Sequence, residues 1–310
     1  MDQSTERFLG IFKSIDFHQI KDHPNILIAA AFWGNERYAA AKTCYRFMRR
    51  IDDLIDNHKA RHITIATEEK NSFTEDVNEW LETAMTAGNQ GEEHNELIGT
   101  IERFRLPLWP LQAFAKSMIW DINHNGFPTV ESFIDYAQGA SVAPAAIFVH
   151  LCGLIPVDGV YSDPPFNVRE AAAPCAIFSY LVHIIRDFQK DQLNNLNYFA
   201  DDLIKANGLT REDLRQIASG KEVTPGFRNL IREYWQLADE YRKKSHECVH
   251  RIKPLVGPEY QLSLELIFDL YLMVFERIDV ENGNFTTAEL NPTPEETRER
   301  VYKVIMKFGS

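Results

Sequence analysis

Ala176-Ile177-Phe178-Ser179-Tyr180-Leu181-Val182-His183-Ile184-Ile185-Arg186-Asp187-Phe188-Gln189-Lys190-Asp191 runs a nearly all-apolar stretch into two acids. Apolar residues on every side predict a helix buried all round rather than one lying on a surface. Asp187 and Asp191 are four apart, so they stack about one turn from each other on one face. Like charges at that spacing weaken a helix unless a cation lies between them, and buried carboxylates need a metal or a partner.

A second stretch, Arg49-Arg50-Ile51-Asp52-Asp53-Leu54-Ile55-Asp56, repeats the pattern far upstream. At about 100° per residue, Tyr45, Arg49, Asp52, Asp53 and Asp56 fall within an arc of roughly 100°. Mg²⁺ takes one or two carboxylates, several waters and substrate phosphate oxygens, so one carboxylate pair per helix suits it. Arg49 and Arg186 stand next to the clusters, where guanidinium forks match phosphate oxygens. An Asp-rich face near Arg is in most proteins solvated surface, and the chain has 45 acidic residues. Two such clusters, one at the end of a buried helix, outweigh that reading.

Helical periodicity dominates the rest, and the expected class is all-α: a helical bundle with a central apolar cavity. Helices are expected at about 36–57, 74–87, 93–104, 108–125, 130–152, 168–193, 210–219, 225–251, 259–278 and 294–306. No Gly/Ser/Pro-rich linker divides the 310 residues, so a single domain is expected over 1–310. It is read as an N-terminal extension (1–24), a core bundle (25–278) and a C-terminal segment (279–310). Pro144 inside an apolar helix predicts a kink, and kinked helices often line cavities. Thr210 with Asp213 resembles a capping box. Phe148, Phe178, Tyr180, Phe188, Phe268, Tyr271 and Phe275 are candidates for the wall of a pocket for a long hydrocarbon.

A net charge of −12 argues against nucleic acid as a partner. An acidic chain still binds an anionic diphosphate where metal ions reverse the local sign. Cys44, Cys152, Cys175 and Cys248 show no C-x-x-C pairing and read as free thiols of a reducing cytosol. Met1–Gly10 lacks the apolar core of a signal peptide, and a cytoplasmic protein is expected. Peripheral membrane contact for product release is kept open.

From about Asn25 to Ile278 the chain resembles the squalene/phytoene synthase family. Cys44 to Asp56 is similar to the first family signature, a Tyr and an Arg leading into D-x-x-x-D. His183 to Asp191 is similar to the second, N-I-I-R-D-x-x-x-D. Met118-Ile119-Trp120-Asp121 resembles the G-M-x-x-D segment, Tyr136 stands at the family's Tyr-Cys position, and Ser141-Val142-Ala143-Pro144 resembles an S-A-x-P variant. The chain departs from the pattern at four places. His183 replaces Asn, Tyr180 replaces Gln, Asn195-Leu196-Asn197-Tyr198-Phe199-Ala200 replaces G-R-x-Y-L-P without its Arg, and the basic residues expected after the last core helix are not evident at Asn284–Glu289.

The resemblance implies condensation of two allylic prenyl diphosphates, farnesyl or geranylgeranyl, through a cyclopropyl intermediate. Asp52, Asp56, Asp187 and Asp191 would hold two or three Mg²⁺ ions, with Asp53 beside them. Arg49, Arg186, Tyr45 and Tyr136 would serve the chemistry. Tyr180, His183, Lys190, Tyr198, Tyr271 and Phe178 would contact substrate. Use of NADPH is left open. The alternatives are a class I terpene cyclase acting on one prenyl diphosphate and a non-catalytic relative. Asp121 and His124, three apart, read as helix-surface polarity, His183 as a core histidine or a polar group near the metal, and Lys190 as solvated or touching phosphate.

Overall fold

The computed structural model describes residues 3–18, 25–61, 65–86 and 91–309. Among these, the chain forms α1 (Gln3–Ser14), α2 (Asn25–Ala30), α3 (Asn35–Arg61), α4 (Thr67–Met85), α5 (Glu92–Arg103), α6 (Trp109–Asn123), α7 (Val130–Ala137) and α8 (Ala143–Gly153). A hairpin of β1 (Ile155–Val157) and β2 (Val160–Ser162) follows. Then come α9 (Val168–Arg186), α10 (Phe188–Leu193), α11 (Asp201–Ala206), α12 (Arg211–Ala218), α13 (Pro225–Ile252), α14 (Pro258–Phe275), α15 (Thr287–Leu290) and α16 (Pro294–Phe308). The fold is all-α.

Helix starts follow the local chemistry. Thr129, Thr210, Thr224, Thr286 and Thr293 each accept a backbone N–H from three residues on, and Pro225 and Pro294 occupy first-turn positions where no donor is missed. The expected capping box at Thr210 and Asp213 is present. In the hairpin Val157 pairs with Val160, and Asp158 (φ 49°) and Gly159 (φ 81°) make the two-residue turn that a right-twisted ribbon favours.

Three expectations are corrected. The helix expected over 130–152 is interrupted by a π-helical turn, Gln138–Val142, with Pro144 in the first turn of α8. The wider turn sits where proline removes an i→i−4 donor. It packs against α6 through Gly139, where a Cβ would lie 2.2 Å from the Ala113 carbonyl oxygen. The helix expected over 168–193 breaks at Asp187, whose backbone (φ −91°, ψ 3°) closes α9 and opens α10. The terminal segments expected outside the core belong to it. Phe8 and Phe12 of α1 and Val301 and Ile305 of α16 are buried with the rest, and Phe8 meets Phe308 at 6.0 Å between centroids. The boundary expected at residue 24 lies outside the described residues. Helices α1, α2, α11 and α15 and the hairpin were not expected.

Helix α9 is the axis of the bundle. It packs against α8, α13 and α14 and buries residues around its whole circumference, from Ala171 to Arg186. By length and composition it passes for a membrane span, but 56% of it is buried inside this bundle, as in the central helix of a water-exposed fold. The four cysteines are free thiols, as expected.

Arg37, 4% exposed, closes the far end of α8: its guanidinium donates to the Leu151 and Leu154 carbonyls at 2.7 and 2.8 Å. Tyr161 of β2 and Tyr260 of α14 cover it at 4.9 and 4.4 Å. Arg37→Leu strands two buried carbonyls and is expected to destabilise the chain by about 2–4 kcal/mol. Urea unfolding of the purified variant measures this.

Candidate active site

A cavity of about 660 Å³ lies between α3, α8, α9 and α14, within the range of small-molecule sites. Helix α3 turns Ile51 and Ile55 into the core, which leaves Asp52, Asp53 and Asp56 on the cavity side with Met48. Asp187 and Asp191 reach the same cavity from the α9–α10 junction. The backbone break there does not separate them: the Asp191 N–H donates to the Asp187 carbonyl at 2.8 Å, keeping one turn between the two side chains. Asp52, Asp53, Asp56, Asp187 and Asp191 thus line one space.

The two motifs act on one another electrostatically. Burial pushes the Asp56 carboxyl well above the carboxylate range, and repulsion from Asp52, Asp121 and Asp191 adds to it. Asp191 is pushed up by burial and then by Asp187. Asp52 is raised by burial, against the pull of Arg49. That Asp191 acts on Asp56 means that groups far apart in sequence share one field.

Arg49 lines the cavity and donates to Asp52 at 2.6 Å and to Asp53. Arg186 stands elsewhere. It is buried and grips both oxygens of Asp187 at 2.7 Å, but it does not line the cavity. Its position suits orienting Asp187 rather than touching a ligand, which corrects the direct phosphate contact expected of it.

Oxygen donors raised by burial and mutual repulsion suit a hard dication, which would favour their charged forms. Among the described residues no three His, Cys, Asp or Glu groups are gathered closely enough to hold an ion alone. Mg²⁺ leaves much of its octahedron to water and phosphate, so it does not require such a group. Asp52, Asp56, Asp187 and Asp191 are the residues that would hold it.

Of the residues expected to contact substrate or serve chemistry, Tyr45, Tyr136, Tyr180, His183, Lys190, Tyr198 and Tyr271 line the cavity. Lys190 is exposed at its edge. His183 meets the Tyr271 ring at 5.0 Å. Tyr136, Tyr180 and Tyr198 cluster at 6.2 Å between successive centroids, and burial pushes all three phenols up, so they are neutral donors. Phe178 is a correction. Two residues before Tyr180, it points about 200° away around α9 and packs on Phe268 and Phe275 at 5.9 and 5.7 Å. Phe188, Phe268 and Phe275 likewise pack outside the lining, whereas Phe148 belongs to it.

Asp121 is also corrected. It is 7% exposed and ion-paired with Lys59, not surface polarity, while His124 is exposed and stacks on Trp120. Sequence reasoning missed Ser179 and Asn194 in the lining. Their spacing from Asp187 and Asp191, eight before and three after, is the signal that would have found them.

Residues 22–299 match the family model described as squalene/phytoene synthase. The chain is 23% identical over 255 residues to the chloroplastic phytoene synthase of Narcissus pseudonarcissus, covering 81% of this chain and 56% of that protein. It thus spans little more than half of that relative's length. Among solved structures, it is similar to a dehydrosqualene synthase in complex with ligand, with a TM-score of 0.68, 14% identity and coverage of 99% and 96% of the two chains. It is also similar to the squalene synthase HpnC from Alicyclobacillus acidocaldarius, with a TM-score of 0.64, 16% identity and coverage of 88% and 96%. Both likenesses are of fold.

Placing Phe178 in packing rather than in the cavity has a measurable consequence. Phe178→Ala should lower stability by about 3–5 kcal/mol, read by chemical denaturation. Phe148→Gln, in the lining, should instead weaken the binding of an apolar ligand more than it lowers stability.

Proposed function

The chain belongs to the squalene/phytoene synthase family, and on that footing we propose that it joins two allylic prenyl diphosphates, farnesyl or geranylgeranyl, head to head. The carrying observation is that two acidic motifs, from α3 and from the α9–α10 junction, line one cavity whose remaining wall is largely apolar. Such a cavity accepts a diphosphate at one end and a hydrocarbon along the other. Bound Mg²⁺ would supply Lewis-acid withdrawal of charge from the diphosphate.

The chain's own groups divide the remaining work. Asp52, Asp56, Asp187 and Asp191 would hold the metal, with Arg186 keeping the Asp187 carboxylate in its orientation. Arg49 presents a guanidinium for phosphate oxygens, and Lys190 an ammonium at the edge. As the C–O bond of one substrate breaks, its electron pair leaves with diphosphate. The double bond of the second substrate attacks the allylic carbon, and loss of a proton closes the cyclopropyl ring. Tyr136, Tyr180 and Tyr198 are neutral donors beside the acids, Tyr45 lines the same cavity, and their ring faces stabilise positive charge without quenching it. Phe148, Ile147, Leu151 and Leu264 exclude the water that would.

The cyclopropyl intermediate keeps the second diphosphate; its departure with loss of a further proton would give a phytoene-type hydrocarbon, and its departure with hydride from a nicotinamide a squalene-type one, leaving a cytoplasmic enzyme toward a membrane surface. Leu54 and Leu193 stand exposed beside the two motifs, which supports a greasy rim there.

Incubation with each prenyl diphosphate and Mg²⁺, with and without NADPH, followed by mass spectrometry, tests the proposal. C30 or C40 chains are expected; C15 or C20 rings would point to a cyclase instead. Asp52→Ala and Asp187→Ala should each lower turnover by about 10²–10³-fold or more. Near-normal turnover in both would sink the scheme.

A further inference from the structure

Lys59 follows the first acidic motif on the same face of α3: Asp52, Asp56 and Lys59 are spaced i, i+4, i+7. Its side chain is almost entirely buried, and it ends on two oxygens of α6. The ammonium donates to Asp121 Oδ1 at 2.8 Å and to the His124 carbonyl at 2.9 Å, at the carboxyl end of that helix. A cation there is favoured by the helix dipole and takes up a terminal carbonyl. Neither Lys59 nor Asp121 lines the cavity. Yet Asp121 is near enough for its charge to act on Asp52, Asp56, Tyr136, Tyr180 and Tyr198. Directly behind the metal-holding carboxylates lies a further carboxylate that is tied off by a buried lysine.

We infer that Lys59 is a positioning residue: by neutralising Asp121 and holding it against the end of α6, it keeps that carboxylate out of the metal-holding set and fixes how tightly the site binds divalent cations. The inference rests on the metal reading of the site. An unpaired Asp121 adds a negative charge beneath Asp52 and Asp56 and over-tightens the grip on a cation. An unpaired Lys59 does the reverse. The two effects have opposite signs, which separates this role from that of a brace, whose loss weakens the site whichever partner is removed.

Mn²⁺ binding to the full-length chain, measured by calorimetry at pH 8 in the presence of inorganic pyrophosphate, provides the test. Lys59→Met should tighten Mn²⁺ binding about tenfold and Asp121→Asn should weaken it about tenfold. The double variant Lys59→Met/Asp121→Asn should return to within about threefold of the parent, since a buried pair can be removed together far more safely than either half. If Lys59→Met does not fold, Lys59→Gln, which keeps a donor for the His124 carbonyl, carries the same expectation.

Weakening by both single variants, or unchanged affinity with lowered stability, overturns the role. A double variant as weak as Asp121→Asn overturns it too, because Asp121 is then itself a ligand. If the parent chain binds no Mn²⁺ even with pyrophosphate, the metal reading fails and this inference with it. If the parent binds and all four chains bind alike, only the role of Lys59 falls.

Discussion

Electrostatic repulsion among carboxylates is the constraint around which this molecule is arranged. Asp52, Asp56, Asp187 and Asp191 are carried into one cavity by helices whose other faces are packed with apolar side chains, and burial and repulsion raise the carboxyls of Asp52, Asp56 and Asp191. Left alone, such an arrangement opposes folding. Burial of aromatic and aliphatic groups along α9, α13 and α14 supplies the opposing term. On the proposed reading a dication and a diphosphate would relieve that repulsion, so the same charges that oppose folding would become affinity for ligand.

Cations in the structure are distributed with that balance in view. Arg49 and Arg186 each engage carboxylates of their own motif, one in the cavity wall and one behind it. Lys59 answers Asp121 from below. The acidic motifs therefore do not confront a bare field, and the uncompensated charge is confined to the face that a ligand approaches. Beside the carboxylates, the three clustered phenols add polarity without adding charge.

The acidic motifs were legible in the sequence because i, i+4 spacing leaves only one way for their side chains to point. The all-α class was legible from periodicity over long segments. What failed did so for physical reasons. Helix α9 is apolar all round, so its pattern carries no phase, and nothing local distinguishes Phe178 in packing from Tyr180 in the cavity wall. Asp121 looked like surface because its partner, Lys59, lies on another helix. The break at Asp187 and the π-turn before Pro144 depend on packing between helices. Helix α2, six residues long, is too short to show a period, whereas α1 buries Thr5, Phe8 and Phe12 along one face, a helical stripe that the sequence does carry.

The wide turn at Gln138–Val142 has an implication for how this wall tolerates change. Helical side chains rotate in steps of about 100° per residue, so a register can be altered only in whole increments. Excising one residue between 138 and 142 would let an ordinary turn form with Tyr136 and Phe148 left nearly in phase, because five residues at the wider pitch and four at the ordinary one both sweep about 400°. What such a deletion would disturb is the contact of this turn with α6, where Gly139 sits against Ala113. The wide turn thus carries one residue more than the helix phase requires, and that residue serves the packing against α6 rather than the alignment of the wall.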